Sequence, residues 1–346
     1  MSRMKITGAR IGAIVTCVPL REYDNLKETD SFTKDEVHKV VAMAGVKSRR
    51  IAAEGVCSSD LCIAAAKEGL ELAQWNPETV DALIMITQTP DYYLPSTSCV
   101  IQNELHLSDE CAAFDVGMGC SGYPYGLWLA GMMVSQGGLR RVLVLHGDTP
   151  SKYVDGTDRA VGLLFGDCGS ATAVEAADST AEINWYFSHH TDGAGYRDMI
   201  IPAGGFRTRF SQDLREHFVK MNGANVFAFT LKRVPALVEE TLSFSGASKQ
   251  EIDYFIFHQS NRFIIRHLAK KLELDLKKVP MTLAEFGNTG GPSIPLTITQ
   301  CMLGRRMDRD FRLMLLGYGV GLSWSSALVT LEAGTKLKHV EFTPGL

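Results

Sequence analysis

The chain has no apolar stretch long enough to cross a bilayer, no surplus of positive charge, and no C-x-x-C pair among its eight cysteines. The first absence argues against a membrane span, which needs about 20 consecutive apolar residues. The second, a formal net charge of -4 from 35 basic and 39 acidic side chains, leaves no overall basic field for nucleic acid. The third argues against a zinc site, and the apolar or small-residue surroundings of most cysteines argue against a disulfide framework. Low-complexity tracts are also missing. The short apolar run at residues 11–18 has no small-residue cleavage site, so it reads as a first strand and not as a signal peptide. These absences together point to a cytoplasmic protein.

What is present is ordinary in composition and informative in pattern. At 346 residues, with 45% hydrophobic and 21% charged, the chain can bury one large core or two fused ones. It carries a faint duplication. Val80-Asp-Ala-Leu-Ile-Met-Ile resembles Ile252-Asp-Tyr-Phe-Ile-Phe-His, and residues 169–176 resemble residues 325–333. In each copy a helical pattern (59–73; 226–243) leads into the first of these apolar strands, and a further strand (141–145; 312–316) ends in glycine-containing turns. Helices alternating with apolar strands predict α/β layers. The boundary is expected in the polar connector at 176–182, giving halves 1–178 and 179–346.

One thiol stands apart from the others. In Ala113-Phe-Asp-Val-Gly-Met-Gly-Cys120-Ser-Gly-Tyr an apolar run turns sharply into a helix at Cys120. The glycines at 117, 119 and 122 allow a tight turn, and the helix N–H groups face the sulfur, so the turn is expected to favour thiolate. The other seven cysteines read as packing residues. His258 follows the strand Tyr254-Phe-Ile-Phe, and Asn288 sits in the glycine-rich Phe286-Gly-Asn-Thr-Gly-Gly-Pro. A single nucleophilic Cys with a distant His and Asn fits an acyl-transfer enzyme whose partners meet only after folding. Aligning Asp81 with Asp253 puts Cys120 opposite roughly Pro292, so both loops should open equivalent central helices, with the site between the halves. His189-His190 lie on a predicted strand, where adjacent side chains face opposite ways, and read as strand-end residues rather than a metal pair.

With these residues in hand, the chain resembles the β-ketoacyl-acyl-carrier-protein synthase III family of the thiolase superfamily. The likeness runs through Arg49-Arg-Ile-Ala-Ala, Asp158-Arg159, Leu164-Phe-Gly-Asp-Cys-Gly-Ser-Ala, His258-Gln-Ser-Asn, Gly287-Asn-Thr and Gly317-Tyr-Gly-Val-Gly-Leu-Ser-Trp, in the family's order. It implies a thiolase-like duplicated fold, two layered α/β halves with central buried helices, assembled as a homodimer. It implies that Cys120 holds the acyl group, that His258 and Asn288 donate hydrogen bonds to the enolate formed when malonyl-carrier protein loses carbon dioxide, and that the Cys120 and Val320 backbone N–H groups form the oxyanion hole. Acyl-coenzyme A or acyl-carrier protein would be substrates, with no cofactor and no metal.

Substrate and carrier contacts are expected at Arg159, Leu94, Asn261, Arg262, Arg266 and Lys270. Arg262, Arg266 and Lys270 recur every four residues, a stripe suited either to an acidic carrier protein or phosphopantetheine phosphate, or to plain solvation. Departures from the family pattern bear on the acyl group. Lys39 and Met43 stand where a Trp and an Arg are common, Val320 replaces a usual Gly, Gly290-Gly-Pro replaces small alanines, and Leu94 replaces a Phe that often closes the acyl pocket across the dimer. Ala228 and Phe263 stand where carrier-binding basic residues are frequent. The thiolase reaction proper is set aside, since residues 317–323 hold no second Cys. The competing function passes the Cys-bound acyl group to a hydroxyl or amine of a sugar or metabolite.

Overall fold

The structure, a computed structural model, describes residues 2–29, 31–177, 183–305 and 307–344. Eleven strands build two sheets: β1 (Ser2–Thr7), β2 (Ala9–Pro19), β3 (Ala82–Ile86), β4 (Ala112–Val116), β5 (Arg141–Asp148), β6 (Cys168–Ala176), β7 (Asn184–Thr191), β8 (Tyr254–Phe257), β9 (Phe311–Gly319), β10 (Ser323–Leu331) and β11 (Lys336–Phe342). The first sheet runs β11-β2-β6-β5-β3-β4 and the second β1-β7-β10-β9-β8. Six helices matter for the site: α1 (Lys34–Ala44), α2 (Ser58–Ala73), α3 (Gly122–Ser135), α4 (Gly223–Ser245), α5 (Arg262–Lys271) and α6 (Ser293–Met302).

The layering follows from where the apolar residues fall. Strand β3 reads Ala-Leu-Ile-Met-Ile with all five residues buried, as a strand covered on both faces must. Its Ile84 and Ile86 pack inward with Tyr123 and Leu127 of α3, Ile294 and Ile298 of α6, and Leu313 and Leu315 of β9. Helix α3 is apolar nearly all round, the pattern of a helix with no face for water. Helices α3 and α6 therefore form a central layer between the sheets. On the outer faces α2 packs against the first sheet, and α4 with α5 against the second. No helix among the described residues is long and apolar enough to cross a membrane.

The duplication is visible at single residues. Asp81 Oδ2 accepts the Arg141 N–H at 2.8 Å, and Asp253 Oδ2 accepts the Arg312 N–H at 2.8 Å, so each aspartate ties the start of its strand to the parallel neighbour. One feature differs from the sequence reading. The N-terminal segment forms two strands, because Gly8 takes φ +80° and breaks the run. Strand β1 pairs antiparallel with β7 in the second sheet, whereas β11, from the other end of the chain, pairs parallel with β2 in the first. The expected boundary between 178 and 179 lies outside the described residues.

Candidate active site

Three loops meet at one cavity of about 360 Å³, lined by Cys120, His258, Asn288, Gly319 and Val320 among others. Cys120 ends the turn after β4, His258 follows β8, and Asn288 precedes α6. All three are buried, at 8%, 2% and 5% exposure. Cys120 lies two residues before Gly122, the first residue of α3, and Pro292 caps α6, so the central helices begin at the site as the alignment of Asp81 with Asp253 predicts.

Each group is aimed by its neighbours. His258 donates its backbone N–H to the Leu316 carbonyl at 2.7 Å, and its own carbonyl accepts from the Tyr318 hydroxyl at 3.1 Å. Its ring Nδ1 is 2.8 Å from Ser293 Oγ, and the ring lines the cavity. Asn288 is clasped by the Leu164-Phe-Gly motif: its N–H donates to the Leu164 carbonyl and its carbonyl accepts from Gly166. The Gly290 N–H donates to Asn288 Oδ1 at 3.0 Å, so the amide turns its NH₂ toward the cavity. Arg49 is buried and donates to Asn25 Oδ1 and to the Gly162 and Phe165 carbonyls, which explains an arginine at that motif position as a brace behind the Asn288 loop.

Electrostatically the site differs from the sequence reading in one respect. Burial, reinforced by the Asp148 carboxylate, pushes the Cys120 thiol up to about 12, while the N–H groups of Val320 and Cys120 itself pull it down. The resting sulfur is thus a thiol. The glycine turn and helix start do not offset the desolvation of the buried sulfur. The N–H groups of Val320 and Cys120 thus stand beside the sulfur. Burial also holds the His258 imidazole down to about 4, opposed by the Gly290 carbonyl, so the ring is neutral near pH 7. Gly319 is obligatory here, because a Cβ on it would lie 2.9 Å from both Cys120 Cβ and Sγ.

The remaining predicted residues spread outward. Asn261 lines the inner cavity and caps α5, accepting the Ile264 N–H at 2.8 Å. It also lines an adjoining pocket walled by Arg159, Met43 and Phe263. Arg159 is paired with Glu36 of α1 at 2.5 Å. Arg262 donates to the Ala42 carbonyl, and Arg266 and Lys270 are exposed along α5. Leu94 is 86% exposed and does not line the cavity of a single chain. His189 and His190 stay apart: the first is buried against Tyr125 and Trp128, and the second meets Glu240 at 3.0 Å.

Sequence reasoning missed Asp148, Gln88 and Tyr153, which also line the cavity. Asp148 ends β5, and the rule that singled out His258, a polar group closing an apolar strand, could have found it. Its carboxyl accepts N–H bonds from Gln88 at 2.8 Å and Gly291 at 3.3 Å, and burial pushes it up to about 7.

Two layered α/β units with a buried Cys, His and Asn at their shared cavity define a thiolase-type condensing enzyme. Comparison with known proteins agrees. Residues 114–193 match the family 3-oxoacyl-[acyl-carrier-protein (ACP)] synthase III, and residues 242–331 match its C-terminal region. A beta-ketoacyl-[acyl-carrier-protein] synthase III of Clostridioides difficile is 32% identical over 93% of this chain and 98% of its own length. A crystal structure of a 3-oxoacyl-(acyl-carrier protein) synthase from Burkholderia xenovorans superposes with a TM-score of 0.94 at 40% identity, covering 98% of this chain and 99% of that one. The priming β-ketosynthase of the R1128 polyketide pathway is 25% identical with a TM-score of 0.85, over 95% and 98% of the two chains. The chain belongs to the 3-oxoacyl-[acyl-carrier-protein] synthase III family; it is an acyltransferase that carries out the family's condensation.

Proposed function

We propose that Cys120 is the nucleophile of this condensation and that His258 and Asn288 hold the enolate. The Cys120 sulfur bonds the acyl carbon of the primer thioester, and the carrier departs as a thiol with the sulfur's proton. The malonyl C–COO⁻ bond then breaks, its electron pair passing into an enolate whose oxygen meets His258 Nε2–H and the Asn288 NH₂. The enolate carbon bonds the acyl carbon, the Cys120 C–S bond breaks with its electron pair on sulfur, which takes a proton from solvent to return to the thiol, and carbon dioxide and a 3-oxoacyl thioester leave. The Cys120 and Val320 N–H groups hold the tetrahedral oxyanion. The observation that carries this reading is the Gly290 N–H on Asn288 Oδ1, since it makes the amide a donor toward the cavity that contains the thiol. Intact mass after exposure to acyl-coenzyme A or acyl-carrier protein tests it: one acyl mass is expected on wild type and none on Cys120→Ala, and an unchanged adduct on the variant contradicts it.

The half at 1–178 then carries the nucleophile and the half at 179–346 the His and Asn. Arg159 and Asn261 line the way in and Arg262 ties α5 to α1 beside it, with Arg266 and Lys270 offered to an acyl carrier protein. Exposed Lys39 and Met43 in α1 supply no flat partner for Arg159, which favours a primer other than acetyl-coenzyme A. A homodimer fits two features. Edge strand β4 is paired on one side only, and Tyr93, Leu94, Phe206 and Phe210 are large exposed apolar side chains, the Tyr93 and Phe206 rings lying 5.4 Å apart. In that dimer Leu94 would reach the partner's acyl pocket. Eight free thiols suit the reducing cytoplasm.

Transfer of the acyl group to a hydroxyl or amine has one observation in its favour: Asp148 places a carboxyl able to act as a base in the same cavity. Malonyl-dependent carbon dioxide release separates the two, because the transfer reaction produces none.

A further inference from the structure

We propose that Ser293 is a positioning residue that fixes the proton of His258 on Nε2. The inference rests on the reading of His258 as a donor to the enolate, and it assigns that donor's origin. Ser293 is the first residue of α6 and is 1% exposed. Its Oγ accepts the Gln259 N–H at 3.2 Å and lies 2.8 Å from His258 Nδ1. A hydroxyl has one hydrogen to give. Among the described residues that hydrogen has no acceptor other than Nδ1, so Ser293 donates to a bare Nδ1 and the ring proton sits on Nε2. In the opposite tautomer Nδ1–H would donate to Ser293, and the buried serine O–H would be left without a partner, an arrangement folded interiors avoid.

The serine cannot easily turn away. Gln259, whose N–H it accepts, is itself pinned: its side-chain NH₂ donates to the Phe257 carbonyl at 2.8 Å and its Oε1 accepts the Thr282 N–H at 3.0 Å. The Tyr318 ring stands edge-on to His258, 5.6 Å between centroids, and closes the side of the imidazole. The consequence concerns the order of events. A His258 that presents Nε2–H cannot take the Cys120 proton, so the imidazole serves the decarboxylation half of the cycle, and the thiol proton leaves with the departing carrier.

The test has two readouts on the full chain. ¹⁵N spectra of histidine-labelled protein, with His258 assigned by the missing signal of His258→Ala, should show Nε2 protonated and Nδ1 bare in wild type. Ser293→Ala should shift that population toward Nδ1–H, and Ser293→Thr should keep it. A wild-type ring protonated on Nδ1 overturns the proposal. In single turnovers, Ser293→Ala should lower malonyl-dependent carbon dioxide release from preformed acyl-enzyme by about 10- to 100-fold, as loss of an outer partner of a functional His does. That loss should exceed the loss in Cys120 acylation, and Ser293→Thr should restore most of it. Equal losses in both steps with no rescue by threonine would mark Ser293 as merely structural and reject the proposal. The spectra need no acyl or malonyl substrate. Failure of wild type to release carbon dioxide would therefore sink the enolate reading while leaving the tautomer assignment standing.

Discussion

Ser121 Oγ lies 2.7 Å from Ser323 Oγ, which donates its own hydrogen to the Val320 carbonyl at 2.8 Å. Ser121, which follows the proposed nucleophile, is thereby linked to the Val320 loop, the proposed second oxyanion donor, across 202 positions of sequence. Ser325 adds a parallel tie, donating to the Ser121 carbonyl at 2.7 Å. Ser323→Ala should loosen the Val320 peptide without removing its N–H. The expected slowing of Cys120 acylation is below the about 10²- to 10³-fold seen when an oxyanion donor is lost outright. Acylation followed by rapid-quench mass spectrometry checks this, and an unaltered rate would show that Val320 is positioned by other contacts.

Gly319→Ala forces a methyl group to within 2.9 Å of Cys120 Cβ and Sγ. Overpacking of this kind costs about 1–3 kcal/mol of stability. The larger expected effect is on chemistry, because either the sulfur or the Val320 loop must move. Denaturant unfolding and acylation measured together should show a modest loss of the first and a severe loss of the second.

Asp148 raises the Cys120 thiol after burial itself, and it does so as a carboxylate. Asp148→Asn should therefore lower the pH at which Cys120 becomes reactive. The pH dependence of iodoacetamide labelling measures it directly, and an unshifted midpoint would mean that the carboxyl is protonated whenever the thiol ionises.

His146 is fully buried beside this aspartate, neither ring nitrogen has a hydrogen-bond partner, and burial holds it down to about 3 from an ordinary 6.5. A base lowered in the folded state takes up protons preferentially when unfolded. Its neutral ring is thus no burden above pH 6.5, and stability is lost as pH falls from there toward 3. Between the ordinary value and about pH 5 the wild type should lose about 2 kcal/mol more than His146→Ser. Equal pH slopes for the two proteins would show that the ring reaches solvent.

Leu94→Phe tests the dimer assignment. If Leu94 gates the partner's acyl pocket, the larger ring should shorten the longest primer accepted, read from acyl-enzyme masses across a chain-length series. An unaltered primer profile would place Leu94 outside the pocket.

Much of this was legible in the chain itself. The aligned Asp81 and Asp253 perform the same task in their respective sheets, and the glycine turns around Cys120 and Asn288 do open the two central helices. What was not legible depends on contacts distant in sequence. Strand β1 has no local signal for pairing with β7 rather than with a neighbour, and its partner is specified only by the assembled edge of the second sheet. The raised Cys120 thiol departs from the thiolate expected at that turn because a helix start is visible in sequence whereas the burial of the sulfur is not. Ser293 and Asp148 carry no signal of their roles in sequence for a related reason: a serine at a helix start and an aspartate at a strand end acquire their roles only from what folds against them.

The measurement that bears most directly on the central claim is carbon dioxide release from preformed acyl-enzyme supplied with malonyl-carrier protein, compared among wild type, His258→Ala and Asn288→Ala. Wild type should release one carbon dioxide per acyl group and form a 3-oxoacyl product. Each variant should still accept the acyl group on Cys120 yet release carbon dioxide far more slowly. Release at the wild-type rate from both variants would contradict the assignment of the enolate site.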